Sequence, residues 1–277
     1  MTMASIRNEL REYGLSPKKR LGQHFLVDRN IIVKVIRAAG VNKEDVILEV
    51  GPGLGEMTLE LARQAKSVIA VEIDSRLAAI LKKKMSVVSN VEIIQKDILR
   101  IDFDGLSHHV KAPLKVVSNL PYQISTPLLF RFIESRKLFS SLTLMLQREV
   151  VERMVAPPGG KEYGALSVLI QMVSRPSVQF FVKPSAFHPP PKVESAVVRI
   201  VWRDDLMMKA EDEDWFKEVV KASFSHRRKT LINSLKYSGL PLPPLPEKRM
   251  GATGIDPQRR SETLTVQEFI RLADALK

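Results

Sequence analysis

Short apolar runs alternate with amphipathic segments along the first half of the chain. Nearly continuous apolar runs predict strands of a buried parallel sheet, at 45–50, 67–72, 91–95, 114–118 and 141–147. Apolar residues at helical spacing predict helices between them, at 29–39, 56–65, 75–85 and 126–136. Strands and helices that alternate at these lengths indicate a doubly wound α/β sheet.

The second half of the chain has a different pattern. The runs 177–182 and 194–202 have only a proline-rich loop between them, so we predict an antiparallel pair added to the edge of the sheet. Beyond them the chain becomes helical, highly charged and locally rich in proline. This change predicts a domain boundary near residue 204, between a larger domain (1–203) and a small all-helical domain (204–277).

The composition narrows the class of protein. The 277 residues include no cysteine, which excludes disulfides and thiolate zinc sites and is typical of a reducing cytoplasm. The first residues lack the apolar core of a secretory signal, and no apolar run approaches the roughly 20 residues of a membrane span. We therefore predict a soluble cytoplasmic protein without membrane contact. The net charge of +12 favours a polyanionic partner such as nucleic acid, although a merely basic enzyme has the same charge.

A glycine-rich loop follows the first long strand, in "LEVGPGLGEMT". Gly51, Gly53 and Gly55 would let the backbone approach a ligand beside a helix N-terminus. The dinucleotide fingerprint requires glycine at position 56, where this chain has Glu56. The loop therefore departs from nicotinamide-binding proteins, and the sequence also lacks a Walker P-loop.

Acidic residues mark the next two strand ends. Glu72 ends the second strand and could accept hydrogen bonds from both ribose hydroxyls. Asp97 follows the third strand and could accept a hydrogen bond from an adenine amino group. Together with the glycines they predict a site for an adenosine-containing ligand. The alternative is a plain tight turn in which Glu72 and Asp97 only cap helices.

The stretch "SNLPYQIST" opens on the same edge of the predicted sheet. Pro121 stiffens the loop, so that the side-chain oxygen of Asn119 and the carbonyl of Leu120 could accept both N–H groups of an exocyclic amine. Tyr122 could stack on the base and favour the positive charge that develops. Phe187 could form a second aromatic wall for a base that has left its stack. The alternative is that Asn119 caps the next helix and the aromatic rings are packing residues.

These motifs resemble the ribosomal RNA adenine N6-dimethyltransferases, specifically the small-subunit KsgA type. The resemblance runs from about Lys18 to the C-terminus and includes "KKRLGQHFL", "VIAVEID", "QKDIL", "NLPYQISTPLLF", "FHPPPKVESAVVRI" and "FSHRRKTL". Large-subunit adenine methyltransferases that confer antibiotic resistance are similar in the same motifs. The loop "QISTPLLF" and the segment "HRRKTL" resemble the small-subunit type more closely.

The resemblance implies a Rossmann-like fold that uses S-adenosyl-L-methionine without a metal. It implies a catalytic domain at 1–203 and an rRNA-recognition domain at 204–277. The implied activity is N6,N6-dimethylation of two adjacent adenosines in the hairpin near the 3′ end of small-subunit rRNA, during small-subunit biogenesis. A monomer is expected.

The resemblance also implies roles for particular residues. The residues expected to bind the cofactor are His24, Leu26, Gly51, Gly53, Glu72, Asp97 and Asn119. Asn119 and Leu120 are expected to contact the target amine, and Tyr122 and Phe187 to sandwich its base. His24 stands where the family commonly has asparagine, so its contact departs from the family pattern.

Clusters of basic residues are candidates for contact with RNA phosphates. They are Lys18, Lys19, Arg20, Lys192, Arg227, Arg228 and Lys229. Any one cluster could equally be a solvated face. Two other functions are compatible with parts of the sequence: a non-catalytic RNA-binding assembly factor, which the intact Asn119 and Tyr122 argue against, and a nicotinamide-dependent oxidoreductase, which Glu56 disfavours.

Overall fold

A computed structural model gives the structure of residues 3–110, 112–203 and 213–277, apart from the side chains of residues 3–7, 19 and 108–110. Within these ranges the strands are β1 Phe25–Leu26, β2 Val46–Val50, β3 Ser67–Glu72, β4 Val91–Gln95, β5 Leu114–Asn119, β6 Phe139–Gln147, β7 Ser174–Val182, β8 Phe187–His188 and β9 Ser195–Trp202. The helices are α1 Met3–Glu12, α2 Arg29–Ala39, α3 Glu56–Gln64, α4 Ser75–Met85, α5 Phe103–Val110, α6 Ser125–Glu134, α7 Arg148–Val155, α8 Ala165–Val173, α9 Glu213–Ser223, α10 Leu231–Tyr237, α11 Pro246–Ala252 and α12 Val266–Ala275.

Seven strands form one sheet in the order β4-β3-β2-β5-β6-β9-β7. Strands β2 to β6 pair in parallel, and β9 pairs with β6 in the antiparallel sense. The chain proceeds from β2 to β4 towards one edge and from β5 to β6 towards the other. The strand order therefore reverses between β2 and β5, and open α/β sheets bind ligands at the carboxyl ends of the strands at such a point. The predicted α/β class and the added edge strands are confirmed.

Helix boundaries follow local capping. Asp28 accepts a hydrogen bond from the backbone N–H of Asn30 at 2.9 Å and caps α2, which begins at residue 29 as the helical spacing predicts. Gly40 ends α2 in the left-handed conformation, with a φ of +58°. Asp74 caps α4 in the same way as Asp28 caps α2, through the backbone N–H of Arg76. These caps fix the residues at which α2 and α4 begin and at which α2 ends.

Helices α5, α7 and α8 have no counterpart among the helices that periodicity predicts. In α8, seven of the nine residues are buried, so apolar residues surround the helix and no amphipathic stripe marks it. Its composition alone would also suit a strand. Strand β5 extends one residue beyond the predicted end and takes in Asn119.

The chain divides into two compact units. The first takes in the described residues up to Val151 and again Ser177–Trp202, and the second takes in Glu152–Pro176 and the described residues from Arg203 onwards. The predicted boundary at residue 204 lies at the start of 204–212, outside the described residues. The assignment of catalysis to 1–203 and of RNA recognition to 204–277 stays a prediction.

The first unit contains the large sheet and its main core. Buried side chains of α2 and α3 pack on the sheet, among them Val35, Ile36 and Leu61, together with Val117 and Met145 of the strands. The carboxyl ends of β2 and β5 are joined directly, because Ser118 Oγ donates to Val50 O at 2.7 Å. This bond fixes the two strand ends from which the candidate site is built.

The second unit is a helical cluster. Helix α9 packs against α8, α10 and α12, and Trp215 Nε1 donates to Ala273 O at 2.8 Å. Arg259 donates to Glu268 at 2.5 Å, and this hydrogen bond is the main cause that lowers the pKa of Glu268 to about 2. Glu268 also closes a capping box with Thr265 at the start of α12. None of the helices described in either unit is long and apolar enough to cross a membrane.

A buried ammonium group ties the sheet to the end of α2 and gives a test of the fold. Lys115 Nζ donates to Gly40 O at 2.9 Å and to Asp45 at 2.6 Å. Lys115→Met would leave the carbonyl and the carboxylate without this partner, so we expect the free energy of unfolding to fall by about 2 kcal/mol. Urea denaturation measures it.

Lys43→Met is the matched control, because Lys43 donates to Arg63 O from an exposed position. Its effect should stay within about 0.5 kcal/mol. Equal effects of the two variants would contradict a structural role for the Lys115 ammonium.

Candidate active site

A cavity of about 220 Å³ opens at the carboxyl ends of β2 to β5. Five short segments of the first unit line it: 20–26, 49–54, 71–73, 96–99 and 119–124. The sheet topology brings the last four of these segments together, since the ends of β2, β3, β4 and β5 each deliver one loop to the same edge. Among the described residues, no cluster of three or more His, Asp or Glu side chains could hold a metal ion.

The glycine loop is shaped by left-handed backbone conformations. Gly51 and Gly53 have φ values of +64° and +60°, which other residues rarely adopt. A Cβ at Gly53 would lie 3.0 Å from the ring of Phe25, and one at Gly51 would lie 3.3 Å from Pro121. Glycine is therefore required both for conformation and for the close approach of the neighbouring segments.

Two carboxyl groups line the cavity beside this loop. Glu72 is 4% exposed and accepts from the backbone N–H of Asp74 at 2.8 Å. Burial raises the pKa of Glu72 above its ordinary value, although the N–H groups of Asp74 and Gly53 oppose that shift. Glu49 is 1% exposed and accepts from Thr58 Oγ1 at 2.7 Å. Burial raises the pKa of Glu49 to about 8, and the neighbouring charge of Glu72 adds to the shift.

Asp97 also lines the cavity, and it caps a short 3-10 turn. Its carboxylate accepts from the backbone N–H of Leu99 at 3.0 Å. The capping role that the sequence left open is therefore present. One carboxylate has more than two acceptor positions, so the cap leaves Asp97 able to accept from a ligand as well.

The Asn119 loop stands next to the glycine loop. Asn119 Nδ2 donates to the backbone carbonyl of His24 at 3.3 Å, which leaves Oδ1 as the acceptor of that amide. Leu120 is 1% exposed, and its N–H donates to Met145 O at 3.1 Å. The backbone around the Leu120 carbonyl is thus held by β6, and the paired oxygens that the sequence predicts have fixed supports.

Tyr122 and His24 form a stacked pair at the cavity wall. Their ring centroids are 5.6 Å apart, with an interplanar angle of 30°. Tyr122 Oη and Ser195 Oγ are 2.6 Å apart, and burial raises the pKa of the phenol. His24 Nδ1 lies 2.7 Å from Pro189 O. Both rings are therefore anchored at their polar ends. Leu26, two residues after His24 in β1, also lines the cavity.

Phe187 lies apart from the cavity lining. Its side chain is fully buried in the main core, and its backbone pairs with Leu26 between β1 and β8. The structure does not bring the Phe187 ring to the cavity, and the predicted contact with a base stays a prediction. The sequence placed Phe187 beside prolines, but not inside the core, because the pairing of β1 with β8 joins segments far apart in the chain.

The basic residues separate into different surroundings. Lys18 forms an ion pair with Asp74 at 2.6 Å, and Arg227 donates to Lys161 O at 2.6 Å, so both have structural partners. Arg20, Lys192, Arg228 and Lys229 are exposed. The side chain of Lys19 lies outside the described part of the chain. Contact of these residues with RNA stays a prediction.

Four residues of the cavity region escaped the sequence analysis. Glu49 and Ile73 line the cavity, and Ile73 is an apolar side chain that is 51% exposed. Gln23 and Asp74 bind one another and Lys18. Of these four residues, only Ile73 could have been found from the sequence, because it directly follows Glu72 and a flat base needs an apolar surface. Nothing in the sequence indicated that Asp74 would meet Lys18, 56 residues earlier in the chain.

The sequence matches a family model described as "Ribosomal RNA adenine dimethylase" over residues 14–277. A relative from Shouchella clausii (strain KSM-K16), named "Ribosomal RNA small subunit methyltransferase A", is 43% identical over 280 residues. That alignment covers 99% of this chain and 95% of the relative.

Two solved structures have similar folds. A dimethyladenosine transferase from Plasmodium falciparum has a TM-score of 0.76 and 28% identity, covering 90% of this chain and 96% of that chain. The 23S rRNA methyltransferase ErmE has a TM-score of 0.69 and 25% identity, covering 91% and 99% of the two chains. Both similarities extend over more of the chain than the first unit alone occupies.

The raised pKa of Glu49 predicts a pH dependence of stability. Below pH 4.5 the carboxyl is protonated in both states, and up to about pH 8 only the unfolded chain ionises. The folded state then binds more protons, so stability falls as the pH rises through this window. Glu49→Gln abolishes this titration. The difference between the melting temperature of Glu49→Gln and that of the original protein should therefore increase by at least about 2 °C, in favour of the variant, from pH 5 to pH 8.

Glu92→Gln, an exposed change on β4, is the control and should run parallel to the original protein. Scanning calorimetry across the pH range measures all three proteins. If the curve for Glu49→Gln also ran parallel to the original, Glu49 would be ionised in the folded protein.

Proposed function

The chain belongs to the ribosomal RNA adenine dimethylase family, and we propose that it dimethylates N6 of two adjacent adenosines in small-subunit rRNA. The methyl donor is S-adenosyl-L-methionine. The proposed target is the hairpin near the 3′ end of that RNA, during assembly of the small ribosomal subunit. The name of the 43% identical relative, a small-subunit methyltransferase, supports the choice of subunit.

Three features of the cavity support binding of the methyl donor. The left-handed glycines at 51 and 53 keep Cβ atoms out of the loop that would face the amino-acid part of the molecule. The Glu72 carboxylate, which lines the cavity, would accept hydrogen bonds from the ribose hydroxyls, and Asp97 and Ile73, which also line it, would contact the adenine. When bound, the donor supplies an electrophilic methyl group on a positively charged sulfur.

The Asn119 loop is the observation that carries the proposal. An adenine amine is a poor nucleophile because its lone pair is delocalised into the ring. Asn119 Oδ1 and the Leu120 carbonyl would each accept one N–H of the amine and favour the tetrahedral nitrogen that can attack. Their positions are fixed in advance, by His24 O on the amide and by β6 on the backbone.

Aromatic contacts would complete the site for the base. Tyr122 would stack on an extruded adenine and stabilise the cation formed as the methyl group arrives. The amine becomes acidic at that point and can lose its proton to water, so the loop needs no strong base. Phe187 stays proposed as the second wall, and its ring would have to leave the core to act as one.

The proposed RNA contacts rest on charge. Exposed Arg20 and Lys192 of the first unit and Arg228 and Lys229 of the second could neutralise phosphates. We propose that residues 204–277 contribute to recognition of the subunit, and that the protein acts as a monomer in the cytoplasm. The net charge of +12 supports a polyanionic substrate.

Methyl transfer to defined nucleotides tests the proposed function. The protein is incubated with methyl-labelled S-adenosyl-L-methionine and small subunits that lack dimethyladenosine, and the modified nucleotides are mapped. We expect up to four labelled methyl groups on two adjacent adenosines of the 3′-terminal hairpin, and weaker binding at higher salt. Label at another RNA position, or in no RNA, would contradict the proposal.

Asn119→Ala separates catalysis from binding of the small subunit. Loss of the acceptor oxygen should lower methylation by about a hundredfold or more, as for other preorganised polar groups at reacting centres. Binding to small subunits should survive, because the basic residues proposed to contact RNA are unchanged. Radiolabel incorporation and co-sedimentation with small subunits measure the two effects, and thermal melts of the original protein should show stabilisation by S-adenosyl-L-methionine and none by NADH.

Asn42→Ala is the matched control, since Asn42 is exposed and lies away from the cavity lining. It should methylate at the original rate. Full methylation by Asn119→Ala would remove that side chain from the mechanism, whereas stabilisation by NADH would favour an oxidoreductase.

A further inference from the structure

Residues 18–24, here called the strap, run beside the cavity from the acidic end of β3 to the Asn119 loop. One end of the strap contacts Asp74, and the other end contacts Asn119 and Tyr122. The segments that the strap joins lie on different strand ends, and each is assigned a different ligand in the proposed function. The strap therefore connects the donor side of the site to the acceptor side.

Asp74 holds the first end through several bonds. Its Oδ2 meets Lys18 Nζ at 2.6 Å and Gln23 Nε2 at 3.5 Å. Gln23 in turn accepts from the Lys18 backbone N–H at 2.8 Å, which closes the strap on itself. The Asp74 N–H donates to Glu72 at 2.8 Å. Asp74 therefore contacts Lys18 through its side chain and, through its backbone N–H, the Glu72 carboxylate that is proposed to hold the ribose.

The second end of the strap contacts Asn119 and Tyr122, the residues proposed to hold the target adenine. Gly22 has a φ of +61°, and a Cβ there would lie 3.5 Å from Gln123. His24 follows, with its carbonyl accepting from Asn119 Nδ2 and its ring stacked on Tyr122. The orientation of the Asn119 amide therefore depends on where the strap places the His24 carbonyl.

The ion pair between Lys18 and Asp74 is largely shielded from water, so breaking it should be costly. The Asp74 side chain is 3% exposed and that of Lys18 is 26% exposed, so the carboxylate has little access to water. Burial alone would raise the pKa of Asp74, but the hydrogen bond and charge of Lys18 and the N–H of Arg76 lower it below its ordinary value. Removing the ammonium would leave a buried anion that must find water or another partner.

We propose that Asp74 is a positioning residue for methyl transfer, which it serves by pairing with Lys18 and so holding the strap against the Asn119 loop. The inference rests on the proposed function. Lys18 then serves the site from within the protein, and its ammonium is not a phosphate contact. The effect on the reaction passes through the His24 carbonyl to Asn119.

A double-mutant cycle tests the pairing. Lys18→Met removes the cation, and Asp74→Asn removes the anion while keeping an N-cap for α4. Each single change should lower kcat for rRNA methylation by about tenfold, and the double variant should be no slower than either single variant. Lys18→Arg keeps the positive charge and should methylate at close to the original rate. Arg63→Met, which breaks the exposed pair with Glu60 on α3, is the control and should keep the original rate.

Hydrogen exchange supplies a readout that needs no activity. Amides of residues 18–24 should exchange about tenfold faster in Lys18→Met and in Asp74→Asn, while the strands of the large sheet keep their protection. If the original protein fails to methylate small subunits, the proposed function fails, and the exchange data still decide the role of the strap.

Two results would overturn the inference. Rate losses that multiply in the double variant would show that Lys18 and Asp74 act separately, as expected if Lys18 binds a phosphate. Unchanged exchange of residues 18–24 in both single variants would show that the ion pair does not hold the strap.

Discussion

Strands β2 and β5 lie side by side where the strand order of the sheet reverses, and the rest of the site depends on this placement. Ser118 Oγ donates to Val50 O across the two strand ends, and the bond is buried. The glycine loop and the Asn119 loop therefore start from adjacent, fixed points. Left-handed glycines let one loop turn tightly beside its neighbours and Pro121 stiffens the other, so that a methyl donor and an amine held by them would lie close together.

The charges of the chain are distributed to suit two different ligands. The overall charge of +12 suits an RNA, whereas the cavity holds the buried carboxyl groups of Glu49 and Glu72. Burial raises the pKa of both groups, because a carboxylate in a dry site lacks solvation. A donor with a positive sulfur would offset that cost and favour the ionised forms. The same carboxyl groups would repel a nucleic acid phosphate, so only the target base of the RNA would enter the cavity.

Local sequence patterns predicted which residues lie at the strand ends, but they did not predict the contacts between segments that are distant in the chain. Glu72 and Asn119 each end a strand, and the glycines and Asp97 come soon after one, so sequence alone placed them at one edge of the sheet. Helix α8 was missed because it is apolar on all sides. The burial of Phe187 and the pairing of Lys18 with Asp74 depend on the tertiary packing of β1, β8 and the strap, for which no short motif exists.

The direction of the transferred methyl group tests the central claim most directly. A crystal structure of the protein with S-adenosyl-L-methionine bound would locate the sulfur and its methyl carbon relative to the Asn119 loop. We predict that the donor lies against Gly51 and Gly53 and that its methyl group points to the space beside Asn119 Oδ1 and the Tyr122 ring. A methyl group that points away from residues 119–122 would contradict the account.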